Sequence, residues 1–201
     1  MHASLSCVNI FLTYSSFQTH AMRLYKIFKF LNVKLEKNML FMRRYHLQKK
    51  EREIKEYDEI LDIIKKGKYI TIAMCRKNEP YIVTLSYGFD KTKNAFYLHS
   101  ALKGLKYDFL RENSNVCATI IDDKGYIINE CAHAYSSLVI WGKMCLVEDS
   151  DEKVYGMDIL LAHLENTPDL IKKGALSNVR MYKTFGIFRI DVVEMIGKSG
   201  R

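Results

Sequence analysis

The feature that most constrains this chain is a succession of short strand-like stretches broken by tight-turn signals: "YITIAMC" (69–75), "RKNEP", "YIVTLSYGFD" (81–90), "KTKN" and "AFYLHS" (95–100). The breaks are too short to hold a crossover helix, so consecutive strands must pair antiparallel. Three further stretches have the same character: "VCATIID" (116–122), "SSLVIWGKMCLV" (136–147) and "TFGIFRIDVVEMI" (184–196). Gly142 within the fifth marks a bend or bulge. Helical patterns surround them. Ile54, Tyr57, Ile60, Leu61 and Ile64 recur at helical spacing from Glu51, with Gly67 as the stop. A second helix is expected over Leu105–Glu112, a third opens at the Asp149/Glu152 capping box and runs through Leu164, and Pro168 starts a short fourth. Residues 126–134 fit neither period. The expected fold class is mainly β (α+β), a six-stranded antiparallel barrel with flanking helices rather than a parallel α/β sheet.

With 201 residues the chain can build one ordinary core. Its net charge of +8 suggests anionic partners, but half of it lies in residues 1–41, where five basic groups face one acid, Glu36. That segment lacks periodicity and is expected to be an extension outside the fold, upstream of a start at Met42, although "AMRLYKIFKFLNVKLEK" also fits a basic interfacial helix. The domain is therefore placed at residues 42–201. The remaining charge is too small for pI to argue nucleic acid, and the aromatics are not spaced as a base-stacking platform. No apolar stretch is long enough to cross a bilayer. Five cysteines without a C-x-x-C pair exclude a disulfide framework and a zinc ribbon, and fit a cytoplasmic setting. Cys75, Cys117 and Cys145 sit among apolar neighbours, as core hydrophobes would. Cys131 and His133 are too few to hold a metal and are assigned to a loop; His163 and Glu165 read as the polar end of a helix, and the lone Trp141 as a core residue.

Between the third strand and the second helix, "HSALKGLK" (99–106) gathers the groups an anion needs. Gly104 permits close approach to the backbone, Leu105 opens a helix whose first N–H groups lack partners, Ser100 offers a hydroxyl, and Lys106 a cation one turn in. A phosphate ester is the ligand this pattern suits. The same residues also suit a solvated helix face with a loop glycine.

"PYIVTLSYGFD", "FYLHSALKGLKYDFLRENSNVCATI", "YSSLVIWGKM", "FGIFRIDVVEMIGK" and "MRRYHLQKKEREI", in that order and spacing, resemble the nitroimidazole-resistance (Nim) family of pyridoxamine 5′-phosphate oxidase-like, FMN-binding split barrels. The similarity covers about residues 42–198. It implies a homodimer with FMN at the subunit interface. Val83, Thr84, Leu85 and Ser86 would then line the isoalloxazine, Ser100, Gly104 and Lys106 would clamp the phosphate, and Ser136 and Ser137 would add polar contacts. His99 would face the active site and handle substrate, where a lone strand histidine otherwise makes a structural hydrogen bond. Thr84, Leu105 and Ser136 depart from the family's usual proline, basic residue and arginine.

The implied activity is that of an FMN-dependent oxidoreductase, resembling a nitroimidazole reductase, that carries electrons from a reduced nicotinamide, NAD(P)H, to a small acceptor. The chain has no G-x-G-x-x-G, so the nicotinamide would visit the flavin rather than occupy a domain of its own. The alternative is a non-catalytic flavin- or haem-binding module on the same fold. No metal site is expected.

Overall fold

The computed structural model describes residues 47–200; the proposed extension at 1–41 and the expected start at Met42 lie outside them. Seven strands and four helices follow one another: β1 (Glu53–Ile54), α1 (Tyr57–Lys66), β2 (Tyr69–Arg76), β3 (Glu79–Asp90), β4 (Ala95–Ser100), α2 (Leu105–Glu112), β5 (Asn115–Ile127), β6 (Ala132–Leu146), α3 (Ser150–Leu164), α4 (Pro168–Lys173) and β7 (Gly186–Ser199). The six long strands are those expected. The seventh, β1, is a two-residue addition paired with the end of β7 through Glu53 opposite Lys198 and Ile54 opposite Gly197. Ile54 therefore reaches the core from a strand, and the first helix begins only at Tyr57.

All pairings are antiparallel, and the order β7-β4-β3-β2-β5-β6 closes on itself through β6 and β7. Closure gives each of the six long strands a neighbour on both sides. Strand β3 divides its length between two neighbours: its first half pairs with β2 and its second half, from Tyr87, with β4. Residues 126–134, ambiguous in the sequence, form the far end of the long β5–β6 hairpin, with Asn129 and Cys131 in left-handed turn positions. Gly142 stands where the β6–β7 register shifts, a bulge, as its position in the strand suggested.

Side-chain alternation fills the ring. Ile70, Ile72, Met74, Val116, Ala118, Ile120, Leu138, Ile140, Phe96, Leu98, Phe188 and Ile190 point inward and pack as one core. Helix α1 covers one end with Ile60, Ile63 and Ile64. Tyr87, fully buried, donates its hydroxyl to the carbonyls of Ile64 (2.6 Å) and Gly67 (3.0 Å), and burial holds its pKa above the usual phenol range. Gly67 is extended rather than left-handed, so it ends the helix for another reason: a Cβ there would meet the Tyr87 hydroxyl at 2.7 Å and Ile120 closer still. His163 is not merely the polar end of α3. Its Nε2 lies 2.9 Å from the Gly67 carbonyl and its ring stacks on Tyr87, with centroids 4.6 Å apart.

Helix α3 lies outside the ring over a second apolar cluster, which contains Tyr97, Val147, Met157, Leu160, Leu161, Phe185 and Ile187. Its start is capped as expected, with Asp149 accepting from the Glu152 N–H at 2.8 Å. Glu152 then accepts from the Tyr97 hydroxyl (2.9 Å) and from Arg189 (2.5 Å), and Arg189 also holds Asp191. Burial opposes ionisation of Glu152, but the Arg189 and Tyr97 hydrogen bonds outweigh it and keep its pKa below the usual glutamate value.

The expected core roles of three cysteines and the tryptophan need correction. Cys75 is exposed, Cys117 and Cys145 are half-buried, and Trp141 is half-buried on the outward side of β6. Each occupies the outward phase of its strand, and that outer face is itself apolar. Among the described residues no helix is long and apolar enough to cross a membrane.

Gly88 on β3 is the seat of α3: a Cβ there would press on the Ile159 carbonyl and stand 2.7 Å from the Leu160 Cα. Gly88→Ala is expected to destabilise the fold by about 1–3 kcal/mol, the usual cost of overpacking, seen as a lower denaturant midpoint at unchanged slope.

Candidate anion and ring-binding site

Strand β4 ends at Ser100, and three residues later Gly104 turns the chain into α2 with φ 130° and ψ 173°. That φ lies where side-chain-bearing residues are strained, and a Cβ at Gly104 would meet nothing within 4 Å. The glycine is thus required by the backbone, and the space above it is open. No side chain caps the start of α2, and of its leading N–H groups that of Tyr107 is taken by the Gly104 carbonyl at 2.9 Å. Tyr107 fixes the turn, since its hydroxyl donates to the Ala101 carbonyl at 2.9 Å and its ring packs on Phe188. Lys106 is half-buried with Nζ 5.9 Å from the Tyr107 ring centroid, and no carboxylate among the described residues pairs with it. Ser100 is buried, and its hydroxyl donates to the Ala101 carbonyl at 3.1 Å.

The stretch Val83–Ser86 splits by alternation. Val83 and Leu85 pack against the core, leaving their backbones in the β2–β3 ladder, while Thr84 and Ser86 face outward. Thr84 meets Thr71 of β2, with Oγ1 atoms 3.0 Å apart, and Thr71 is paired in turn with Thr119. Ser86 pairs with the exposed Tyr69. The β3–β4 ladder ends at the Tyr87–Leu98 pair, so Ser86 lies on the β2 side of the divide, paired with Tyr69, while His99, next after Leu98 on β4, pairs with Ile187 of β7. Ser86 and His99 are thus each the first residue past the Tyr87–Leu98 pair on their own strands, and His99 leads through Ser100 into the turn at Gly104.

His99 is accessible, yet one side of its ring meets Phe185 edge-on with centroids 4.9 Å apart. The loss of water on that side disfavours the charged imidazolium and lowers its pKa from 6.5, which favours the uncharged ring at neutral pH. A neutral imidazole can accept a proton at one nitrogen and donate from the other.

Ser136 and Ser137 are elsewhere. Ser100 is registered with Gly186 at the start of β7, and Ser136 with Ser199 at its end. Thirteen residues of β7 separate the two pairs, about 40 Å of extended strand. One chain does not bring them to a common ligand the size of a mononucleotide. Ser136 is buried and accepts from Lys124 Nζ at 2.8 Å. Lys124 was invisible to sequence reasoning, because it reaches Ser136 across a register shift between Asp123 and Tyr126. His133, expected in a loop, lies on β6 with Nε2 2.8 Å from Asp123. No group of metal-binding side chains occurs among the described residues.

An antiparallel ring in which one strand shares its length between two neighbours, with an open glycine turn after the next strand, defines a split barrel. The chain belongs to the pyridoxamine 5′-phosphate oxidase family, whose model matches residues 56–199. Solved structures with the same fold include a candidate 5-nitroimidazole antibiotic resistance protein of Bacteroides thetaiotaomicron, 24% identical over 74% of this chain and 86% of the other, with a TM-score of 0.61. A FAD-binding protein of Mesorhizobium loti is 20% identical over 75% and 98%, with a TM-score of 0.55. A flavocytochrome of Azotobacter vinelandii is 12% identical over 80% and 74%, with a TM-score of 0.67. No curated protein matches the chain.

The neutrality of His99 is directly measurable. An NMR titration of its ring protons is expected to show a midpoint below 6.5, and Phe185→Leu, which removes the covering ring, is expected to move that midpoint upward.

Proposed function

We propose that the protein is a homodimeric, FMN-dependent oxidoreductase that takes electrons from a reduced nicotinamide and passes them to a small acceptor such as a nitroaromatic. The observation that carries this reading is the open, uncapped turn at Gly104 beside the unpaired Lys106, preceded on β4 by His99, with the outward hydroxyls of Thr84 and Ser86 on the neighbouring strand β3. A flavin mononucleotide requires a flat surface with polar contacts for its rings, and amides with a cation for its phosphate. The residues present fit both requirements. Membership of the pyridoxamine 5′-phosphate oxidase family, and the FAD-binding and flavocytochrome proteins that share the fold, support a flavin.

In this proposal the Gly104 turn and Lys106 hold the phosphate, with the buried Ser100 shaping the turn behind it. Thr84 and Ser86 hydrogen-bond the ring edge while the Val83 and Leu85 side chains brace the strand from inside. Bound FMN would supply reversible two-electron chemistry. His99 orients the acceptor and exchanges a proton with it.

A second copy of the chain is needed for two reasons. Outward residues form an apolar row across four strands, Ile82–Ala73–Cys117–Trp141, flanked by Ile121, which is 58% exposed, and Ile82 itself is 65% exposed. Such a face on a closed barrel is suited to burial against a partner. Ser136, Ser137 and Lys124 lie at the far end of the same strands. Two-fold docking on the apolar row would carry that end of one copy toward the Gly104 end of the other and exclude water from the ring surface. The proposal treats residues 42–201 as the domain and 1–41 as an extension, in a cytoplasmic setting.

The flavocytochrome among the solved structures favours one second reading, a flavin- or haem-carrying module without turnover. The absorbance spectrum of the purified protein separates flavin from haem, and anaerobic bleaching by NADH or NADPH separates a reductase from a carrier. Lys106→Ala is expected to weaken FMN binding roughly 10–100-fold, as loss of one charge-assisted contact does, with unchanged thermal stability. Gly104→Val should weaken FMN binding similarly through the backbone and, because φ 130° strains a residue with a side chain, also lower thermal stability. His99→Ala is expected to retain flavin and lose turnover; unchanged rates in that variant would remove His99 from the mechanism.

A further inference from the structure

The described residues are nearly balanced, with 23 basic and 22 acidic side chains over 47–200, but the balance is not local. Residues 99–107 and 170–185 contain six basic groups and no acid: Lys103, Lys106, Lys172, Lys173, Arg180 and Lys183. The rest of the described chain is consequently net acidic. These two segments flank His99 in space. Ser100 pairs with Gly186, Tyr107 crosses to Ala101 beside Gly186, and His99, Phe185 and Tyr182 form an aromatic chain with centroid separations of 4.9 and 5.5 Å.

Only Lys172 in this group has a carboxylate partner among the described residues, Asp158 at 2.8 Å. Arg180 and Lys183 are the informative pair. They belong to one 3₁₀ turn, Val179–Lys183, in which positions three apart are eclipsed, so the two cations project from the same edge of the turn while Tyr182 packs inward. Both are exposed. Neither is in a salt bridge with a carboxylate among the described residues, so the turn presents two cations of like sign to solvent. Exposed apolar groups, Leu102, Leu105 and Met181, lie on the same two segments. A ligand with several phosphates and a flat base would satisfy the cations and cover the apolar groups together.

We propose that Arg180 and Lys183 bind the 2′-phosphate of a nicotinamide adenine dinucleotide phosphate, with Lys103 and Lys173 facing its pyrophosphate, so that NADPH is the electron donor in preference to NADH. This rests on the reductase reading, in which Lys106 is committed to the flavin phosphate and the four other unpaired cations remain for a second anionic ligand. A doubly charged phosphate monoester answers an adjacent cation pair better than a hydroxyl does. The dinucleotide would lie along the two basic segments with its nicotinamide over the ring surface beside His99, consistent with the lack of a separate dinucleotide-binding motif.

Two measurements on the flavin-loaded protein test this. Calorimetric titration with adenosine 2′,5′-bisphosphate and with AMP reads the 2′-phosphate contact without any turnover. The bisphosphate is expected to bind at least about tenfold more tightly, with affinity falling steeply with salt, and the advantage is expected to vanish in Arg180→Ala/Lys183→Ala. Anaerobic flavin reduction is expected to favour NADPH over NADH in kcat/KM, with the double variant bringing the NADPH value down to that of NADH. Equal binding of the two adenosines, or a preference that survives the double substitution, would overturn the assignment. So would a short single-stranded oligonucleotide competing at equal concentration, which would make the patch a nucleic-acid site, or loss of a copurifying FAD from the variant, which would give these cations to the cofactor. If the bisphosphate binds as expected but neither dinucleotide bleaches the flavin, the binding site stands and the reductase reading falls.

Discussion

The hydroxyl of Tyr87 holds together the three parts on which the rest depends. A helix that ends inside a protein leaves carbonyls without donors, and an unpaired buried carbonyl is costly. Tyr87 meets that need from within the ring, donating to Ile64 and Gly67 at the end of α1 while its ring receives His163 from α3. Barrel, plug helix and outer helix therefore share one polar knot. Tyr87 is also the residue at which β3 passes from β2 to β4. The knot thus fixes the point where the strand divides, and with it the position of Ser86, His99 and the turn beyond Ser100.

From that fixed point, alternation determines which residues can do chemistry. Inward positions are committed to packing; the outward ones next to the divide are Thr84, Ser86 and His99. Helix α3 covers the outer face at Gly88 and Tyr97 but stops short of His99, which leaves its ring open on one side and dried by Phe185 on the other. Accessibility with partial desolvation is the condition for a neutral histidine that can still reach a substrate.

Much of this was legible in the residues. Six strands, the span of α2 from Leu105 to Glu112, the Asp149 cap and the Gly142 bulge follow from local period and turn chemistry, which act over a few residues. The glycine turn between β4 and α2 was legible for the same reason, because Ser100, Gly104 and Leu105 are sequence neighbours and Gly104 does take a positive φ. What local pattern could not supply was phase and distance. Ile54 continues the helical period of α1 yet pairs with Gly197, since a tertiary partner overrode propensity. Gly67 has the look of a helix stop but is shaped by Tyr87 and Ile120. Cys75, Cys117 and Trp141 have core-like composition because their outer face is apolar too, and composition does not distinguish two apolar faces. Lys124 and Ser136 meet only through a register shift, and no spacing rule forecasts one. The separation of Ser136 from Ser100 follows from the β7 ladder alone.

The seat of α3 is made of two glycines in reciprocal positions: Gly88 on the strand admits the helix backbone at Ile159 and Leu160, and Gly156 on the helix admits the ring of Tyr97, 2.5 Å from where its Cβ would stand. Bumps and hollows of this kind index the helix, in both rotation and axial position, more firmly than a greasy interface could. Substitutions in the segment that follows the helix need not disturb the barrel, because the helix itself is keyed to the sheet by bare backbone.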